Sequence, residues 1–585
     1  MKIQVKFLIV ITLFVNYTFA QEKDAKITKQ ELFDHIEFLA SDSMKGRFPG
    51  TEEDKIVAEY IASQFKNTGL ELLFENGLQA FEITTGIELC HNNTLFINNK
   101  EFLVEKDFIP IAFSDNQLVE SSVVFAGYGI KVDKKNGDWN DYANINAKDK
   151  WVLILQGTPD IKDSKIPFKM YSSLRTKATV AKDLGAAGVI FISNSNKLIE
   201  LKRSQGNIQI PVIQIKRNVA DLLLKPLKKN LDVIENEIVE KKQPLTFDIK
   251  SVIKCNTTIK SEIKTTYNIA AKCIIDKNNP NYIIIGAHYD HLGFGGIGSG
   301  SRSPNIKKPH YGADDNASGV SAIIEIAEKL ASKKDSLNTN FIVVAFGAEE
   351  MGLIGSKYFV NNLPIPKESI TSMINIDMIG RMKADSSLQI SGIGTSLEGR
   401  SIIQNINNNY AFNLGLSNEG YGPSDHSSFY EKDIPVFFFS TGAHIDYHTP
   451  ADSLGAINFE GLLKISNYIY DFAYYLSRNN VSLTYQESGP KAPKQSTKAN
   501  LKVTLGIMPD FTGVVKEGLR ADIVIKNKPA YKAGMKSGDV IKAINGDSVA
   551  DIYEYMERLS KLEIGQIITV EVLRDNKKEV LIVQL

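Results

Sequence analysis

Tyr311-Gly312-Ala313-Asp314-Asp315-Asn316-Ala317-Ser318-Gly319 is the stretch on which the reading of the chain turns. It sets two carboxylates and an amide between glycines, directly ahead of residues 318–330, where Val320, Ile323, Ile324, Ala327 and Leu330 share one helical face. Alone, Asp-Asp-Asn beside glycine is also the composition of a loop and a helix N-cap. A carboxylate pinned at a tight turn can instead bridge two cations, and the rest of the chain decides between the two.

Residues 265–480 alternate strand and helix. Apolar runs at 282–285, 341–346, 373–376 and 436–439 have the pattern of strands buried on both faces. They indicate an α/β fold with a mostly parallel (mixed) sheet and helices on both faces. In such a sheet ligands sit beyond the carboxyl ends of the strands. Four of these strands end in charged or coordinating residues. The first leads into His288, Asp290 and His291, the second into Glu349-Glu350, the third into Asp377, and the fourth through T-G-A-H-I-D-Y to His448. With Asp315 this gathers His288, His448, Glu349, Glu350 and Asp377 on one rim, a concentration of negative charge that cations relieve. Imidazole mixed with carboxylate suits zinc, whereas an oxygen-only set suits calcium or magnesium. Asp290, two residues after His288, is placed to accept the proton on the other imidazole nitrogen.

These residues resemble the M28 family of co-catalytic zinc peptidases, of the bacterial aminopeptidase type, over roughly residues 27–118 and 252–482. The resemblance implies a phosphorylase/hydrolase-like α/β domain and two Zn2+ per chain. Asp315 then bridges the metals, His288 and Asp377 complete one site, Glu350 and His448 complete the other, and the Asp315-Asn316 bond is cis. It also implies Glu349 as general base and Tyr447 as hydrogen-bond donor to the oxyanion. Asp425 and His426 of S-D-H-S-S-F would border the substrate pocket. His291, His310 and His444 match no ligand role, and Arg381 reads as a surface arginine. The implied activity is hydrolysis at the free N-terminus of peptides. The same metal core serves carboxypeptidases and dipeptidases, and a peptide-binding protein that has lost catalysis is a further alternative, opposed by the complete ligand set.

Around this core, residues 27–40 read as a helix capped by Thr28, with Leu32, Ile36, Phe38 and Leu39 near helical spacing, and a second helix follows with Ile56, Ala58, Ile61, Ala62 and Phe65 inward and Gly69 as its stop. S-M-K-G-R-F-P-G-T between them reads as a Gly/Pro loop. Residues 119–251 carry short strands (V-V-F-A-G-Y-G-I, W-V-L-I-L-Q-G, G-V-I-F-I-S, I-P-V-I-Q-I) and one helix at 176–184. This β-rich insertion, which leaves 21–118 and 252–482 as one discontinuous domain, resembles a protease-associated domain and is expected to roof the cleft. Residues 483–500 are a Pro, Ser and Lys-rich linker. Residues 501–585 resemble a small β-rich PDZ domain of the bacterial type, with a helix at 552–559. Leu505-Gly506-Ile507-Met508 would be the loop that receives a peptide C-terminus.

Lysine plus arginine and aspartate plus glutamate each total 68 in 585 residues, which gives no reason to expect nucleic acid as a partner. Peptides are the expected partners. Residues 1–20, with Lys2 and Lys6, an apolar run at 7–15 and Thr18-Phe19-Ala20, have the pattern of a signal peptide cleaved after Ala20, and so of a periplasmic or secreted protein. No later segment is apolar enough to span a membrane. Cys90, Cys255 and Cys273 allow at most one disulfide.

Overall fold

The computed structural model describes residues 25–132, 137–161, 164–166, 168–201, 206–296, 298–491, 502–510, 515 and 517–585; the leader at 1–20 and the linker residues 492–500 lie outside them. The sheet that carries the site has nine strands. Its centre is four neighbouring parallel strands, Asn340–Phe346, Tyr282–His288, Ile370–Ile376 and Val436–Ser440. On one side Ile259–Cys273 runs antiparallel, paired with Leu78–Leu89; on the other lies Ser387–Ser391, antiparallel to its neighbour. The sheet is therefore mixed, and parallel where the site is.

Alternate residues of the central strands enter two different cores. Ile283, Ile285, Ala287, Val343 and Ile374 pack with helices Lys29–Leu39, Glu52–Asn67, Gly319–Ala331 and Phe459–Arg478. Ile284, Ile342, Val344 and Phe346 pack on the other face with Ile354–Asn361 and His426–Tyr430. Burial on both faces is what the unbroken apolar runs encode. Thr28 and Thr51 cap the first two helices, accepting from the amides of Glu31 and Asp54. The second helix buries Ala58, Ile61, Ala62 and Phe65 as read, but Val57 in place of Ile56, which is 38% exposed. Two adjacent branched residues leave that phase open to periodicity alone.

The inserted unit is a second sheet, of eight strands, with Leu118–Ala126, Trp151–Leu155, Gly188–Ile192 and Val212–Ile215 parallel neighbours. It also takes in Thr94–Ile97, Lys100–Phe102 and Phe108–Pro110, so as a sheet the insertion spans 94–256, wider than 119–251. Besides the helix Leu174–Asp183 it holds Arg217–Leu224 and Leu231–Lys241. The last follows an Asn230 cap and buries Leu231, Ile234 and Ile238, a helical spacing legible in the sequence but not read there. The C-terminal domain is a six-stranded sheet around Leu505, Ala521, Ile541, Val570 and Val583, with the helix Ile552–Ser560. All three cysteines are free thiols. No helix among the described residues is long and apolar enough to cross a membrane.

Candidate metal centre

The ends of the four parallel strands bring His288, Asp315, Glu350, Asp377 and His448 together. His288 Nε2 lies 3.2 Å from Asp315 Oδ1 and 3.4 Å from Asp377 Oδ1. His448 Nε2 lies 3.2 Å from Asp315 Oδ2 and 3.1 Å from Glu350 Oε2. Asp315 thus shows one oxygen to each group. The other nitrogen of each ring meets a backbone carbonyl: His288 Nδ1 is 3.3 Å from Asp290 O, and His448 Nδ1 is 3.1 Å from Gly300 O. Those contacts place a proton on Nδ1, which leaves Nε2 of each ring as the nitrogen that would turn a lone pair to a cation. Asp315 Oδ2 and Asp377 Oδ1 are buried and make no hydrogen bond. Buried carboxylate oxygens without a hydrogen-bond donor, set beside the Nε2 atoms of two imidazoles, are what a cation reconciles, so the residues fit a metal at each position.

The turn that aims Asp315 is held from three sides. The amides of Asp314 and Asp315 donate to the Asp452 carboxylate at 3.0–3.2 Å. Asn316 donates to Ile376 O and accepts from Gly319 N and Met378 N, tying the turn to the strand end that bears Asp377. The Asp315-Asn316 bond is cis. The third support is Arg47, fully buried. Its Nε donates to Tyr289 O at 2.6 Å, Nη1 to Leu39 O at 3.0 Å and Tyr311 O at 2.5 Å, and Nη2 to Gly312 O at 2.6 Å. Burial lowers its pKa to about 10, against the pull of Asp315, Asp290, Asp452 and Glu350, so it stays charged. The loop read only as Gly/Pro-rich therefore delivers the clamp between the His288 strand end and the Asp315 turn.

Asp290 acts otherwise than its spacing suggests. Its carboxylate is 3.8 Å from His288 Nδ1, beyond hydrogen-bond reach, and accepts the amides of Glu349 at 2.9 Å and Glu350 at 3.3 Å. Its backbone carbonyl is what meets the imidazole. Ala348, Met378 and His448 all have left-handed φ (54°, 59° and 55°), unusual for residues with a side chain, beside or at the candidate ligands.

Glu349 faces the centre without joining either group. Burial pushes its carboxyl well above the usual range; His288 pulls it down, while Glu350, Asp425 and Asp377 raise it. Tyr447 stacks on His448, ring centroids 3.8 Å apart and planes at 21°. Burial, with Asp315, Glu350, Glu349 and Asp377 nearby, raises its pKa well above 10, so the hydroxyl keeps its proton and can donate. Asp377 Oδ2 accepts from Ser424 at 2.8 Å. Asp425 is fully buried, and burial pushes its carboxyl to about 6.

His291, which matches no ligand role in the sequence, takes a supporting place beside the ligands. It is fully buried, its Nδ1 is 2.8 Å from Glu350 Oε1, and it forms a compact donor group with Asp315 and Glu350. Its Nε2 has no partner, unlike the outer nitrogens of His288 and His448. This pattern puts the proton on Nδ1, donated to Glu350 Oε1, so that Oε2 is left aimed at His448. His291→Ala should weaken metal binding about 10- to 100-fold, and His291→Asn, which keeps an N–H near the Nδ1 position, should recover most of it in a chelator competition. Equal losses in the two variants would make His291 a direct ligand instead.

The remaining residues sit outside the donor groups. His310 bonds Ser301 Oγ and Lys308 O, His444 lies 3.2 Å from Asp314 Oδ2, and Arg381 pairs with Asp446 at 2.7 Å. His426 is fully buried, stacked on Phe438 at 4.5 Å, with neither nitrogen bonded, and burial lowers its pKa to about 3. An unfolded histidine titrates near 6.5, so this group favours the fold above that pH and loses its contribution as pH falls toward 3, by about 1.4 kcal/mol per unit. Between pH 6.5 and 5 the Tm of the protein should fall faster than that of His426→Phe; parallel Tm curves would contradict the assignment.

Glu349, Glu350 and Tyr447 open onto a cleft of about 850 Å³. Among the described residues none of its lining comes from the inserted domain expected to roof it; the opposite wall belongs to the C-terminal domain. There Leu505 is buried in the core and Gly506 has φ +75°, where a Cβ would meet Lys528 Cβ at 2.1 Å. Ile507 and Met508 open the edge strand Ile507–Pro509.

Residues 268–473 match the model of Peptidase family M28, residues 117–223 that of the PA domain and residues 502–585 that of the PDZ domain. The chain is 26% identical over 474 residues to Aminopeptidase YwaD of Bacillus subtilis (strain 168), covering 78% of this chain and 86% of the relative. It is 28% identical over 321 residues to Leupeptin-inactivating enzyme 1 of Streptomyces exfoliatus, covering 50% of this chain and 65% of the relative. Among solved structures, an aminopeptidase from Aneurinibacillus sp. strain AM-1 aligns at 22% identity with a TM-score of 0.46, over 80% of this chain and 97% of that one.

Proposed function

With a peptidase domain of family M28 beside a PA and a PDZ domain, the chain is a zinc metallopeptidase of that family, and on this premise we propose that it is an exported aminopeptidase working with two zinc ions. The observation that carries the two-metal reading is Asp315, whose two oxygens face the Nε2 atoms of two different histidines. His288 and Asp377 would hold one ion, Glu350 and His448 the other, and Asp315 both. Zinc in these positions supplies Lewis acidity, which lowers the pKa of water and polarises a carbonyl.

The chain's own residues do the rest. Glu349, whose surroundings raise its proton affinity, takes the proton of the attacking water and delivers it to the leaving amine. Tyr447 donates a hydrogen bond to the oxyanion that develops on the substrate carbonyl. Asp290 holds the amides of Glu349 and Glu350, so base and ligand keep their spacing.

Action at the N-terminus, over the carboxypeptidase or dipeptidase alternatives, is supported by relatives that are named aminopeptidases. The complete donor set opposes a purely peptide-binding role. Export is supported by the leader pattern of residues 1–20. Aminoacyl p-nitroanilides assayed beside N-acetylated peptides test the polarity: the anilides should be cleaved and the blocked peptides spared. Hydrolysis confined to the blocked peptides would refute it.

A further inference from the structure

The PDZ domain shares the catalytic cleft. Asp510, Leu519 and Ile552 line one wall; Glu349, Glu350 and Tyr447 line the other. Arg302 ties the two sides together: its Nη1 lies 3.0 Å from Met508 Sδ on the PDZ edge strand and 3.3 Å from Ile445 O, while its backbone amide donates to His448 O at 3.0 Å. The strand that would take up a peptide is thus fastened to the loop that carries Tyr447 and His448.

The direction of that strand matters. Ile507–Pro509 stands at the edge of its sheet, bonded only to Leu519–Val524 among the described residues. Half-buried Ile507, and Ile552 and Met556 of the helix Ile552–Ser560, pack on one core, so that strand and helix would flank a peptide added at this edge. A peptide whose terminal carboxylate sits at Leu505-Gly506-Ile507 and which adds antiparallel to this strand runs upstream toward Asp510 and the start of the helix at Ile552. Those two residues also line the cleft with Glu349.

We propose that the PDZ groove and the metal centre act on one peptide: the substrate is held by its C-terminus while its N-terminus is presented to Glu349. The proposal rests on the aminopeptidase reading and adds a substrate class, peptides with a free carboxylate and an apolar last residue. The groove occupies the three residues opposite Ile507–Pro509, at about 3.3 Å of rise per residue, so only longer peptides reach beyond Asp510. Binding at one end turns arrival at the other into an intramolecular event, which lowers KM without changing the chemistry.

The test uses the full chain with two octapeptides of one sequence ending in valine, one a free acid and the other a carboxamide, the corresponding tripeptide pair, and an aminoacyl p-nitroanilide. The acid octapeptide should show a KM lower than the amide by on the order of 10-fold, with similar kcat, and the tripeptides should show no such difference. In Met556→Glu and Ile507→Asp, which set a carboxylate against the groove, the acid-to-amide ratio for the octapeptide should approach one. The ratio is internal to each variant, so a general loss of activity does not disturb it. Equal KM values for the two octapeptides, with the anilide still cleaved, overturn the tether and leave the groove to the C-terminus of some other protein. Failure to cleave the anilide or any N-terminal residue overturns the aminopeptidase reading itself.

Discussion

Glu349→Ala should lower kcat by roughly 10²- to 10⁴-fold, the usual contribution of a general base, while the zinc content of the protein stays that of the wild type. Glu349 faces the centre from the residue beside Glu350, yet it belongs to neither donor group. Its backbone is fixed by the Asp290 carboxylate through an amide that alanine retains. The substitution therefore removes a proton acceptor and nothing that holds a cation. KM for an anilide should move far less than kcat, since the lost interaction is made in the transition state. Glu349→Gln, which keeps the volume, should be nearly as slow. Activity within a few-fold of wild type in either variant would remove Glu349 from the mechanism, and loss of zinc would make it a ligand.

Arg47→Ala should cost about 3–5 kcal/mol of stability, the penalty for removing one partner from a buried charged network. Five carbonyls, those of Tyr289, Leu39, Tyr311, Gly312 and Asp315, lose a donor at once in a largely buried region. Three of them belong to the segment that aims Asp315, so metal affinity should fall together with Tm. Arg47→Lys should rescue little, because three donors on a compact ammonium cannot span carbonyls that a planar fork reaches from five N–H groups. A wild-type Tm and metal affinity in Arg47→Ala would show that the clamp is dispensable.

The contrast between these two residues shows what the sequence makes legible. Glu349 could be found because it ends an unbroken apolar run, and in a doubly covered parallel sheet that position lies on the functional rim. His288, Asp377 and the Asp315 turn are readable for the same reason: each chemical group is attached to a strong local signal. Arg47 carries no such signal. Its role depends on carbonyls from two remote segments, at Tyr289 and at 311–315, and S-M-K-G-R-F-P-G offers only turn chemistry. His291 was harder still, since nothing in H-Y-D-H separates a ligand from the donor that orients a neighbouring carboxylate. That distinction appears only once the partner of each ring nitrogen is known. Asp290 illustrates the same gap, its carboxylate facing amides 59 and 60 positions away while its carbonyl meets the imidazole. The placement of the PDZ domain on the cleft was likewise beyond local periodicity, because contacts such as Arg302 with Met508 join residues 206 apart.

A zinc count on the active protein, taken after dialysis against metal-free buffer and paired with the kcat of the same sample, bears most directly on the shared carboxylate. Two zinc ions per chain are expected at full activity, and Asp315→Ala, which removes an oxygen from both positions, should lose zinc from both and lose turnover with it. Full activity at one zinc per chain, or an Asp315→Ala protein that retains both ions, would contradict a centre built on Asp315.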